Sequence, residues 1–204
     1  MIRNVGRPFG RAAVAFLCVL LMLGQMPAAS FAAEASAQTE GTSPLGRYND
    51  LPDRAFYLEA LAFLTGIGVI APNSDGGFAP DEPVTRNDFA VWTARSLGLS
   101  PVPGTAFTDV SASSAEAPYI HALHQAGFVR GYGDGTFRGD RTITRAEAAM
   151  MLAGITGRPA APGHAAAFAD VRADDWFAGA VGVLANLRVV SGKSKDAFAP
   201  GDTL

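Results

Sequence analysis

Two arginines carry the clearest chemical signal in this sequence. Arg86 stands in Val84-Thr85-Arg86-Asn87-Asp88 and Arg145 in Ile143-Thr144-Arg145-Ala146-Glu147. In both, Thr followed three residues later by an acid reads as a capping box, so each arginine falls on the first residue of a helix. The helix dipole disfavours a cation there by roughly 0.3–1 kcal/mol. A residue set against local preference is a candidate for function. A guanidinium beside unpaired helix-start N–H groups would receive a carboxylate. The competing role is structural, an ion pair with an acid of a neighbouring unit such as Asp109 or Asp170.

The elements that position these arginines repeat. A unit of about 60 residues occurs three times. Tyr48-Asn49-Asp50, Phe107-Thr108-Asp109 and Phe168-Ala169-Asp170 open the copies, and Phe78, Phe137 and Phe198 each close a later turn. The copies run over 48–98, 107–157 and 168–204, separated by Pro- and Ala-rich breaks. Each reads as helix, loop, helix. Asp53, Ser113 (with Glu116) and Asp174 are expected to cap the first helices. Gly68 and Gly127 are expected to end two of them, while Arg188 takes that place in the third.

Apolar spacing supplies the core: Leu61, Ile120 and Val181, then Leu64, Leu123 and Leu184. Phe56, Tyr119 and Trp176 extend those stripes. Phe89, Trp92 and Leu97, and in the next copy Ala148, Met151, Leu152 and Ile155, give the second helices their inner side. The turn Gly131-Tyr132-Gly133-Asp134-Gly135 calls for positive φ, and Phe137 is expected to plug it onto the core. The third copy reaches Leu204, the counterpart of Val84 and Ile143. Two arginine-bearing helix starts are therefore expected, and an incomplete third unit that exposes apolar surface.

Composition narrows the function classes. The chain of 204 residues has a formal net charge of −3 and no run of Lys or Arg, which disfavours nucleic acid as a partner. Residues 1–32 read as a secretory signal, with Arg3, Arg7 and Arg11 before an apolar stretch too short for a comfortable span. Residues 33–47 read as a flexible leader. Cys18, the single cysteine, lies in the signal, so the exported part is expected to hold together by packing alone. No later stretch is apolar for long enough to cross a membrane.

Catalytic and metal readings are weaker. Gly-x-Ser-x-Gly, His-Glu-x-x-His and P-loop patterns are absent from the sequence. His121 and His124 are three apart with no evident third ligand. The Asp134-Gly135 turn lacks the alternating acids of a calcium loop. No cofactor is expected. Besides the arginines, Trp176 offers a ring that could stack on a sugar face, Tyr132 lies in a turn at a groove edge, and Asp109 recurs beside the motif.

These motifs in this order resemble the S-layer homology family. The resemblance rests on Phe107-Thr108-Asp109-Val110, an amphipathic helix, Gly131-Tyr132-Gly133-Asp134-Gly135-Thr136-Phe137 and Ile143-Thr144-Arg145-Ala146-Glu147, and it extends from Tyr48 to Leu204. It implies a mainly all-α fold in which helix-loop-helix units pack into a pseudo-threefold helical body. It further implies non-covalent anchoring of an exported protein to the bacterial cell envelope, at the cell wall or S-layer. The implied ligand is a secondary cell-wall polysaccharide, often carrying a pyruvate ketal, bound in grooves between repeats. Within that implied site, Arg86 and Arg145 carry the ligand, with Asp109, Tyr132 and Trp176 beside them. Two rival readings stand next to it: self-assembly, with another copy or a related protein packed on the incomplete repeat, and the anchor part of a longer envelope enzyme.

Overall fold

The computed structural model describes residues 43–156 and 168–204. The signal segment with Cys18, most of the leader and the second inter-repeat break lie outside the described residues. Among those described, the regular structure is five α-helices and a short 3-10 turn at Pro44–Arg47, with no strand. The helices are α1 (Leu58–Gly66), α2 (Arg86–Ser96), α3 (Ala117–Gln125), α4 (Arg145–Ile155) and α5 (Ala178–Asn186). None is long and apolar enough to cross a membrane.

The helices pair across repeats rather than within them. α2 packs on α3, and α4 packs on α5, so the second helix of one unit covers the first helix of the next. α1 packs against the 3-10 turn. The repeated apolar positions meet as expected: Leu61, Leu64, Ile120, Leu123, Val181 and Leu184 are all fully buried. So are the three turn phenylalanines, Phe78, Phe137 and Phe198. A unit of this size cannot bury its apolar face alone, and stacking supplies the missing partner.

At the centre the repeats close on one another through their backbones. Val84 N–H donates to Leu204 O (2.9 Å), Ile143 N–H to Val84 O (3.0 Å) and Leu204 N–H to Ile143 O (3.3 Å). Three equivalent residues thus form a cyclic set of hydrogen bonds around the pseudo-threefold axis, with their side chains buried.

Both expected capping boxes are present. Thr85 Oγ1 accepts from Asp88 N and Thr144 Oγ1 from Glu147 N, with the acid reaching back to the cap in each case. The remaining helix-start donors are not available to a ligand. Arg86 N donates to Arg141 O and Asn87 N to Gly139 O; Arg145 N donates to Asp202 O and Ala146 N to Pro200 O. Carbonyls of the next repeat thus take the N–H groups that the sequence suggested were open to an anion. Gly139 leaves room for the Asn87 side chain, since a Cβ there would lie 1.9 Å from Asn87 Oδ1 unless that side chain moved.

The first helices start later than the caps suggested. Tyr57, Glu116 and Phe177 occupy the cap positions and none makes a side-chain cap bond. Ser113 instead bonds Ser111 Oγ, and Asp174 pairs with Arg172. These polar groups stabilise a turn ahead of the helix, which competes with capping for the same side chains. One consequence is that Phe56, placed on the apolar stripe by spacing, is 73% exposed while Tyr57 turns inward. At the other end, Gly68 and Gly127 have φ of 78° and 79°, and Arg188 adopts the same left-handed backbone at 58°.

Candidate functional site

A groove of about 680 Å³ opens between the second and third repeats. Arg86 reaches it from the first turn of α2, Tyr132 from the turn after α3, Glu147, Met150 and Gly154 from α4, and Trp176 from just before α5. All three repeats therefore contribute to one surface.

Arg86 is the unusual member. It is 9% exposed, and its Nε is buried without a hydrogen-bond partner. Its guanidinium carbon sits 4.7 Å from the Phe137 ring centroid and 5.3 Å from that of Tyr132. Such contacts stabilise a cation but do not give its Nε–H an acceptor. Burial pushes the guanidinium pKa down, with Tyr132 and Glu147 opposing. It remains protonated at any physiological pH. A buried donor without an acceptor is costly, and a bound carboxylate would remove that cost.

The groove's polar wall is a short chain of hydrogen bonds. Tyr132 O–H donates to Glu147 Oε1, and Glu147 Oε2 accepts from Thr144 N at 3.0 Å. Burial would raise the Glu147 carboxyl, but the Thr144 N–H, the Tyr132 hydroxyl and nearby Arg86 outweigh it and hold the pKa below the usual range. Burial, with the Glu147 bond, raises the Tyr132 phenol. Trp176 also lines the groove, 63% exposed and edge-on to Phe177 (5.3 Å, 88°). It precedes its helix rather than lying in the helix core.

Arg145 is built differently. Its Nε donates to Phe198 O and its Nη2 to Ser191 O, both at 2.8 Å, and its guanidinium lies 4.5 Å above the Phe198 ring. It clamps the turn of the third repeat. Beside it Lys193 pairs with Asp202. Neither arginine takes Asp109 or Asp170 as a hydrogen-bond partner. Those acids hold turns: Asp109 accepts from Phe137 N and Arg138 N (both 2.7 Å), and Asp170 from Phe198 N (2.8 Å) and Ala199 N (2.7 Å). Asp50 does the same for Phe78 and Ala79. Ala79, Arg138 and Ala199 have φ of 53°, 56° and 59°, so each acid supports a left-handed residue after the buried Phe.

Of the five candidate residues, the structure brings Arg86, Tyr132 and Trp176 together. Arg145 and Asp109 lie apart from this groove, Asp109 in a smaller polar cleft with Asn87 and Arg138. Sequence reasoning assigned Glu147 only a capping role, and Met150 and Gly154 none. The i, i+3 and i+7 spacing of these three on one helix was the available signal. The histidines serve as local ties, His121 Nδ1 to Pro103 O and His124 Nδ1 to Val129 O.

Inter-repeat helix pairs, a backbone ring at the axis and a groove shared by three units define a repeat-built helical module with a groove between units. The S-layer homology domain matches this chain at residues 47–90, 106–149 and 167–204, and the chain belongs to that family. It is 32% identical over 114 residues to a surface layer protein of Brevibacillus choshinensis, covering 53% of this chain and 10% of that protein. It is 30% identical over 135 residues to a cellulosome-anchoring protein of Acetivibrio thermocellus, covering 63% of this chain and 30% of that protein. It is 34% identical over 120 residues to a middle cell wall protein of Brevibacillus brevis, covering 52% and 11%. The chain thus spans well under half the length of these relatives.

Proposed function

We propose that this chain anchors itself, and whatever it is joined to, at the bacterial cell envelope by binding an anionic secondary cell-wall polysaccharide. Family membership and relatives at cell surfaces support envelope anchoring and a non-catalytic role at the cell wall or surface layer. One observation carries the ligand assignment: Arg86 lines the groove with its guanidinium largely buried and its Nε without an acceptor. A carboxylate, such as that of a pyruvate ketal, would complete its hydrogen bonds. Trp176 gives an adjacent sugar ring a flat apolar surface, and the Tyr132–Glu147 pair gives its hydroxyls polar partners. The test is co-sedimentation with sacculi that retain their polysaccharide and with sacculi stripped of it. Equal binding to both would refute the proposal.

Self-assembly has its own observation, exposed Phe56 (73%) and Ile67 (49%) flanking α1. Light scattering across a concentration series tests it, and a strictly monomeric species would exclude it.

A further inference from the structure

The repeats suggest that matching grooves should be equivalent, yet their linings differ residue by residue. Gly154 on α4 corresponds to Arg95 on α2, and Ala180 on α5 corresponds to Tyr119 on α3. Between repeats 1 and 2, the Arg95 guanidinium lies 4.9 Å above the Tyr119 ring, and its Nη1 donates to Val69 O at 3.4 Å. The same two positions between repeats 2 and 3 hold no side chain larger than a methyl group. A Cβ added at Gly154 would meet only Phe128, at 3.7 Å, an ordinary contact. The groove there is open because its residues are small.

The other groove residues change in the same sense. The counterpart of Trp176 in repeat 2 is Ala115, so the first interface has no exposed ring at that place. The counterpart of Tyr132 in repeat 1 is Asn73, whose Oδ1 accepts from Asp75 N and Gly77 N and so stays within its own turn. Asp88, in place of Glu147, bonds Thr85 of its own cap. The surface between repeats 1 and 2 is a more open depression of about 600 Å³, lined by Arg95, Tyr119, Ile70 and Pro101.

We infer that the chain has one saccharide groove of this kind, between repeats 2 and 3, and that Arg95 stacked on Tyr119 takes the matching place between repeats 1 and 2, where the ring and the phenol–carboxylate wall are missing. This rests on the saccharide reading proposed above. Arg95 already has a ring and a carbonyl, whereas Arg86 has a ring and an unused donor. Gly154 is the specificity-determining residue, since any long side chain there would occupy the volume that Arg95 occupies one repeat earlier.

Calorimetric titration of the purified chain with a synthetic methyl hexosaminide carrying a pyruvate ketal, and with pyruvylated wall polysaccharide fragments, tests this. The expected result is one monosaccharide per chain. Gly154→Gln, neutral and better suited to a helix than Gly, should weaken binding about tenfold or more by filling the groove. Gly154→Ala should retain it, and Arg95→Ala should leave the affinity of the groove between repeats 2 and 3 unchanged. Two equivalents per chain, or loss of binding in Arg95→Ala with retention in Gly154→Gln, would overturn the single-groove inference while leaving the saccharide reading intact. No binding of either probe by the unaltered chain would sink the saccharide reading and this inference with it.

Discussion

Arg86 and Arg145 occupy the same position in the same motif, yet only Arg145 has its guanidinium tied down. Arg145 donates to Phe198 O and Ser191 O, while the Nε of Arg86 has no acceptor. The difference lies in the turn that each arginine meets. Arg145 lies against a turn whose carbonyls point at it. Arg86 lies against the rings of Tyr132 and Phe137 at the mouth of a groove. One motif thus lines a groove in one repeat and clamps a turn in the next.

The two arginines should therefore separate in their effects. Arg86→Ala should weaken co-sedimentation with polysaccharide-bearing sacculi by about 1.5–3 kcal/mol, the worth of a charged hydrogen bond. Arg86→Lys should lose most of this, because a point charge does not reproduce the guanidinium fork. Arg145→Ala should instead lower the unfolding free energy, by about 1–3 kcal/mol, with binding largely retained. Parallel binding and denaturation curves check both.

Trp176 is exposed in the groove, whereas the other tryptophan, Trp92, is buried. Ligand should change the fluorescence of Trp176 alone. Trp176→Ala should abolish that change and cost about 1 kcal/mol in binding, as expected for loss of an aromatic platform. The melting temperature should hardly move, since little of the ring is buried.

The repeated acids predict an acid limit to stability. Partial burial would raise the carboxyls of Asp109 and Asp170, but their backbone N–H partners outweigh it, and both pKa values lie below the usual carboxylate range. Because the folded value is below the unfolded one, the contribution is complete above about pH 4 and lost as pH falls through the folded value. Asp109→Asn should flatten the loss of thermal stability on acidification. At neutral pH it should cost about 1 kcal/mol, discounted because the carboxylate is exposed. An unchanged pH profile would remove Asp109 from this role.

Arg188 takes a left-handed backbone that glycine adopts in the two earlier repeats. A non-glycine residue there costs roughly 1–2 kcal/mol. Arg188→Gly should raise stability by about 1 kcal/mol, the unfolded chain's greater freedom offsetting part of the gain. Chemical denaturation is the measurement.

The backbone ring at the axis predicts that the repeats unfold together. Ile143→Ala removes a fully buried side chain at the point where all three units meet, and should cost about 3 kcal/mol. Circular dichroism and tryptophan fluorescence should then report one coincident transition. Two separable transitions would mean that the ring does not couple the units.

Local signals in the sequence translated directly into structure. Thr85 and Thr144 formed their capping boxes because the partners lie three residues away, and no tertiary contact is needed to bring them together. The core positions Leu61, Ile120 and Val181 were legible because helical spacing alone assigns a face. The first-helix caps were not, since Ser113 and Asp174 had a competing turn to stabilise and propensity does not rank the two.

The sequence by itself determined the repeat, its helices, the family and the arginines as the residues of interest. Each of these rests on short-range pattern or on composition. Only the tertiary structure decided that Arg86 faces a groove while Arg145 binds carbonyls 46 and 53 residues away. It also decided that helix-start N–H groups serve the next repeat, and that Gly154 lines a groove while its counterpart Arg95 lies over the Tyr119 ring. The physical reason is common to all three. A side chain's hydrogen-bond partners and the space around it come from residues distant in sequence, and two nearly identical motifs meet two different neighbours.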